Sequence, residues 1–317
     1  MDTDMIKTTA TGQQSIAPTR FSIFWQKVKK GKTSYLFVGP FLLLFAVFTI
    51  IPIVLSIVLS FSYFNMLQWP KWVGIANYIR LFLDDDIFLL AVKNTLIFAA
   101  ITGPISYFAC FLFAWLINEL RPKLRAILTL LFYAPSISGN AFMIWKIMFD
   151  GDMHGYANGF LLYWGIINEP VQWWVDKEFM MPLVIVVTLW MSLGTSFLVF
   201  IAGLQGIDGR LYEAGAIDGI RNRWQELWYI TLPSMQGYLM FGAILSITGS
   251  FAAAGQITAL VGYPSTDYAV HTIMQHLQDY GNIRFEMGYA STIAVVLFFT
   301  MVIAQQIVQR LLKKIGQ

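Results

Sequence analysis

Six runs of mostly apolar residues, at about 35–63, 91–118, 124–149, 181–207, 234–260 and 287–311, constrain this 317-residue chain more than any other feature. Each exceeds the roughly 20 residues that a helix needs to cross a hydrocarbon core of about 30 Å. With 57% hydrophobic and 12% charged residues, the chain is too apolar for a water-soluble domain. In lipid every backbone N–H and C=O must be satisfied within the protein, so runs of this length read as helices. The fold class expected is an all-α integral membrane protein with six transmembrane helices.

Basic residues set the orientation, because Lys and Arg near span ends are retained on the cytoplasmic side. The amino-terminal tail, the turn after the second run, the block after the fourth and the tail after the sixth together hold 15 of the 21. Both termini are therefore expected in the cytoplasm. The reading divides the chain into a tail over 1–34, a six-span domain over 35–311 with a cytoplasmic segment at 205–233, and a second tail over 312–317. The first apolar run extends through Tyr63, far past the short apolar core of a cleavable signal, and reads as a retained span. The net charge of +3 is this cytoplasmic bias, and no basic stripe with interleaved aromatics suggests nucleic-acid binding.

Catalytic and metal chemistry find little support. Cys110 is the single cysteine, which excludes an intrachain disulfide or a cysteine zinc cluster and leaves a packing role. His154, His271 and His276 all fall in loops, and none belongs to a His-Glu-x-x-His pattern. Gly31-Lys32-Thr33 looks like the end of a phosphate-binding loop, but the position of that motif's first glycine is Gln26 and no strand precedes it. No cofactor is expected, and the chain reads as a non-enzyme.

The 205–233 segment is polar and charged yet lies between two apolar runs. Leu211 to Gly219 reads as a short helix with small residues at Ala214, Gly215 and Ala216, which let a backbone approach a partner surface closely. Gly219 ends it, since glycine enters the left-handed conformation cheaply. Arg223 to Ile230 then reads as a second amphipathic helix with Trp224, Leu227 and Trp228 on one face, closed by Pro233. Glu-Ala-x-x-x-Asp-Gly (Glu213 to Gly219) followed by Ile-x-Leu-Pro (Ile230 to Pro233) between two spans is a specific pattern.

This segment resembles the cytoplasmic EAA loop of permease subunits in bacterial ATP-binding-cassette importers. It is most similar to the carbohydrate-uptake group that includes the maltose and glycerol-3-phosphate systems. Trp72-Val73-Gly74-Ile75-Ala76-Asn77-Tyr78 and Asn94-Thr95 agree with it, and the resemblance spans residues 33 to 314. Two features depart from the pattern. Gly215 replaces the usual second alanine, and ten residues rather than nine separate Gly219 from Ile230.

The resemblance implies the type I importer permease fold and a coupling helix seated in a groove of an ATPase subunit. Carried over by residue, Glu213 makes polar contact with the ATPase, Ala214 and Gly215 allow close approach, and Asp218-Gly219 form the turn, with Ile230, Leu232 and Pro233 returning the chain to the membrane. It also implies the partners: a second homologous six-span permease, two ATPase subunits that carry out ATP hydrolysis, an extracytoplasmic solute-binding protein and a sugar or oligosaccharide substrate, all at the bacterial cell membrane. The competing class is an ion-coupled secondary carrier or a channel subunit. Such proteins use ionisable groups near the membrane centre, whereas Lys93, Glu119 and Lys146 sit near span ends.

Polar residues at depth mark candidates for the translocation path. Asn140 and Gln256, long amides, are costly against lipid and favour a water-filled cavity as neighbour. The Ser192 to Ser196 run fits a cavity lining and small-residue helix packing equally, and the Ser246 to Ser250 run, with Ser250, is a further candidate. Trp145 and Trp190 lie nearer the span interiors and join the candidates, because an aromatic face packs on a sugar ring. Trp69, Trp72, Trp164, Trp173 and Trp174 fit an interfacial belt or loop packing better.

Overall fold

The computed structural model describes residues 32–313. Most of the 1–34 tail and residues 314–317 of the second tail lie outside the described residues. The described chain forms two compact units, divided between Leu55 and Ser56. The first unit is most of helix α1, Thr33–Leu59, a long apolar helix whose most apolar stretch has no buried residue. Its large side chains are exposed all round, as suits a helix surrounded by hydrocarbon.

In the second unit helix α2, Asp86–Asn118, begins where the Asp85 carboxylate accepts the Phe88 amide at 2.8 Å. Pro122 opens α3, Pro122–Ile137, in the first turn, where a missing N–H costs nothing. The predicted span 124–149 is not one helix. Gly139 takes a φ of +62° and α4, Met143–Met148, follows the break. Pro135 and the Ser-rich stretch after it are the physical reason, since they cannot sustain the helical ladder. The chain continues through a short helix, α5, Tyr156–Tyr163.

Helices α6, Lys177–Met191, and α7, Thr195–Gln205, together make one stretch long and apolar enough to cross a membrane. A short helix α8, Gly209–Ile217, leads to α9, Arg223–Ser234, which meets α10, Gln236–Phe251, at a bend of 80°. The predicted span 234–260 is broken too. Residues 252–254 separate α10 from α11, Gly255–Val261. Helix α12, Ile273–Gln278, precedes the last helix, α13, Met287–Lys313. Among the described residues, four helices are long and apolar enough to cross a membrane, or five if the bent pair is one span.

The core forms where α2, α7, α10 and α13 pack together. Phe197, Phe200, Cys110, Ala114, Met235 and Leu239 make one buried cluster of it. Glycines set the spacing of α7 and α10: a side chain at Gly242 would overlap the Phe200 ring, and a Cβ at Gly203 would sit 2.8 Å from Tyr238. Phe108, Leu112 and Leu116 on α2, and Phe298, Phe299 and Ile303 on α13, point outward as an apolar surface.

The connections are well built. Ser62–Tyr63 and Lys71–Trp72 form a small antiparallel hairpin. Asn77 donates to the carbonyls of Ser60 and Ser62, and Phe61 stacks on Trp72 at 5.6 Å. In the 150–176 connection the fully buried Asn158 amide donates to the carbonyls of Asp150, Asp152 and Val171 and accepts from Val171 and the Trp173 indole.

Candidate functional site

Asp208 starts the 205–233 segment. Its carboxylate caps α8 by accepting the Arg210 amide at 3.0 Å, and hydrogen bonds from Arg210 hold it below the usual carboxylate range. A negative charge there complements the helix dipole. Gly219, at φ +95°, follows α8 as the left-handed turn residue that the sequence suggested. Asn222 then caps α9 by accepting the Gln225 amide at 2.9 Å.

Helix α9 differs from the even amphipathic helix expected. Leu227–Thr231 winds as a π turn, in which hydrogen bonds reach one residue further than in an α-helix. This wider turn accommodates one extra residue and shifts the buried face. Leu227, Ile230 and Thr231 are buried, whereas Trp224 and Trp228 are exposed.

Glu213, Ala214, Asp218, Gly219 and Ile217 are all exposed, Ile217 at 87%. Gly215 faces inward instead: a Cβ there would stand 2.6 Å from the Ile230 Cδ1 and 3.1 Å from that of Ile220. Its smallness serves the contact of α8 with α9 inside this chain. Leu232 is half-buried and Pro233 exposed at the end of α9.

Four contacts that the sequence did not suggest fasten this block. Arg223 pairs with Glu119, at the end of α2, and with Glu226, both at 2.7 Å. The Tyr212 hydroxyl lies 3.0 Å from the Thr231 hydroxyl, and Trp224 packs on Trp115 of α2 with ring centres 5.4 Å apart. The one available signal was Glu119, a lone acid at a span end.

Ser250 and Gln256 come together on a cavity of about 280 Å³. Thr102 and Ser106 of α2, Thr188 of α6, Ser192 in the break after it, Thr195 and Ser196 of α7, and Ser246 of α10 complete its polar lining, which holds no charged side chain. Gln256 Nε2 donates to the Thr188 hydroxyl at 2.6 Å, and the Thr102 hydroxyl donates to that of Ser250 at 3.1 Å. Trp145 and Trp190 pack edge to face, 5.8 Å between centres, and Trp190 borders a second, apolar cavity of about 620 Å³. Asn140 is exposed and lines neither. Among the described residues no cluster of His, Cys, Asp and Glu is arranged to hold a metal ion.

No family model matches the chain. It is 30% identical to the lactose transport system permease protein LacF of Rhizobium radiobacter, over 83% of this chain and 88% of that protein. It is equally identical to the arabinooligosaccharides transport system permease protein AraP of Halalkalibacterium halodurans, covering 83% and 82%. The probable ABC transporter permease protein YesP of Bacillus subtilis is 29% identical, over 85% and 86%. Among solved structures, a chain of a bacterial ABC transporter involved in import of the acidic polysaccharide alginate superposes with a TM-score of 0.73 at 22% identity. That match covers 93% of this chain and all of the other.

Proposed function

The chain belongs to the permease subunits of ATP-binding-cassette sugar importers, and from that premise we propose that it forms one half of a translocation path for a sugar or oligosaccharide and transmits ATPase closure through α8. Six spans follow on this reading: α1, α2, α3 with α4, α6 with α7, α10 with α11, and α13. Both termini and the 205–233 segment face the cytoplasm of a bacterial cell, and the domain limits are 1–34, 35–311 and 312–317. A second homologous permease supplies the other half of the path, two separate ATPase subunits hydrolyse ATP, and an extracytoplasmic solute-binding protein delivers the substrate.

One observation carries the coupling role: α8 is a short helix, exposed along Glu213, Ala214, Ile217 and Asp218, yet locked to α9 through Gly215 and Ile230, and α9 is locked to α2 through Arg223 and Glu119. A push on the exposed face is thereby delivered to two spans at once. Glu213 and Asp218 offer the polar contacts, Ala214 the close approach, and Gly219 the turn; Ile230, Leu232 and Pro233 hand the motion to α10.

For the path, the hydroxyl-lined cavity at Ser250 and Gln256 suits a ligand rich in hydroxyls, which both donate and accept. Asn140, Trp145 and Trp190 belong to the same proposal as contributors nearer the second permease. An ion-coupled carrier is not favoured, because the cavity lining carries no ionisable group.

The test uses the assembled transporter in vesicles with its ATPase and binding-protein partners. Glu213→Ala combined with Ile217→Asp alters only exposed side chains, so the expected outcome is normal assembly with loss of substrate-stimulated ATP hydrolysis. Unchanged stimulation would sink the coupling role.

A further inference from the structure

The start of α2 and the 265–286 segment meet at a buried chain of titratable groups. The Asp85 Oδ2 accepts from His276 Nε2 at 3.0 Å and from the Tyr289 hydroxyl at 2.7 Å, while Oδ1 takes the Phe88 amide. His276 Nδ1 in turn lies 3.1 Å from His271 Nε2. Both imidazoles are at least 98% buried, with exposures of 1% and 2%. The remaining ring nitrogen of His271, Nδ1, is buried without a hydrogen-bond partner.

Other charged and titratable groups face this chain from each side. Asp279 and Arg284 pair at 2.7 Å on the turn after α12. Tyr263 and Tyr268 flank the His271 ring, and Tyr280 packs on His276. Arg80, paired with Glu286, stands 4.2 Å over the Tyr289 ring.

We propose that the Asp85–His276–His271 chain is an acid-released latch, holding the 265–286 segment on the ends of α2 and α13 while His271 is neutral and freeing it when His271 gains a proton. In either tautomer Nδ1 has no partner, so a charged His271 carries an N–H and a positive charge into a place that offers no acceptor. Burial, with His276 adding to it, holds the pKa of His271 down to about 4. Burial alone would raise Asp85, but bonds from His276, Tyr289 and the Phe88 amide hold it well below the usual carboxylate range.

The sign follows from linkage. A freed, solvated His271 titrates near its ordinary value of about 6.5, so below that pH the released state binds the extra proton. From about 6.5 down to about 4, each pH unit shifts the balance about tenfold toward release. Asp85 favours the latched state throughout that window, because its shift is in the opposite direction.

Release reaches the cavity. Thr272 donates to the Ala253 carbonyl and Gln275 to the Thr258 hydroxyl, on either side of Gln256. The same segment is fixed to α2 by Asn94, which donates to the carbonyls of Tyr268 and His271, and by the Thr95 hydroxyl, which accepts the Ile273 amide. The latch thus regulates the path of the proposed importer permease and rests on that reading for its functional meaning.

The experiment uses the full chain in lipid nanodiscs, in a Cys110→Ala background with spin labels at Leu83→Cys and Ile283→Cys, both exposed positions. One narrow distance is expected at pH 7.5, with a longer one gaining about tenfold in relative population per pH unit below about 6.5. Asp85→Asn, which weakens the bonds of His276 and Tyr289 to this site, should bring the longer distance in at higher pH. His271→Gln should remove the acid response. Distances that stay unchanged to pH 4.5 in both the parent and Asp85→Asn, or an acid response that survives in His271→Gln, would overturn the latch. A nanodisc bathes both faces in one buffer, so a wrong membrane orientation leaves this result intact and is read separately by sided labelling of cells.

Discussion

At the scale of single residues, Gly215 and Gly219 are the informative pair. Gly219 was legible because a left-handed turn after a helix has one cheap occupant, and its φ of +95° agrees. The inward role of Gly215 was not legible, since nothing local reveals that Ile230, fifteen positions on, presses against it. Gly215→Ala should therefore cost about 1–3 kcal/mol of stability, as overpacking does. Ile230→Val, which lacks the Cδ1 atom, should recover most of it, and a double-mutant cycle on thermal unfolding in detergent checks the coupling. Gln256 sets a second test. Gln256→Leu removes one hydrogen bond worth about 1 kcal/mol, so uptake should weaken several-fold while basal ATP hydrolysis by the assembled transporter persists. Uptake that matches the parent would mean that the amide only ties α11 to Thr188.

At the scale of elements, long uninterrupted helices were read well and broken ones were not. Asp86–Asn118 and Met287–Lys313 agree with the second and sixth runs because apolar length alone specifies them. The third and fifth runs hid breaks at 138–142 and 252–254: Gly139 turns at φ +62° in the first, whereas the second falls on Ala252–Ala254, strong helix formers that give no local sign of a break. The buried face of α9 escaped for a related reason: a π turn changes the period on which face assignment depends. The residues Asn77, Asn94 and Thr95, noticed only as parts of a resemblance, prove to be staples between distant segments. Asn158→Ala strips a buried amide of all its bonds and should open the 150–176 connection to protease in intact spheroplasts, while α6 and α7 remain protected. In Arg223→Ala both former partners, Glu119 and Glu226, remain partly exposed, so stability should change little. Substrate-stimulated ATP hydrolysis should nevertheless fall, because α9 loses its ion pair to α2 and is left with the Trp224–Trp115 contact.

For the whole molecule, membrane orientation is the property on which the other readings depend. In a Cys110→Ala background, cysteines replacing Asp267 and Met153 should react with an impermeant thiol reagent in intact spheroplasts, whereas those replacing Ile217 and Asn222 should react only after the membrane is opened. Labelling of Ile217 from outside would invert the protein and remove α8 from reach of any ATPase. If the orientation holds, the 80° bend between α9 and α10 gains a mechanical meaning. Helix α10 is 16 residues long and reaches from the bend to Ser250 on the cavity wall. At 1.5 Å per residue it is an arm of about 24 Å, so a sideways shift of about 2 Å at α9 swings it by about 5°. On the proposed coupling role the bend would act as a crank: a displacement parallel to the membrane surface would become a tilt of the cavity wall, and straightening that angle would leave a push on α8 with no lever to turn.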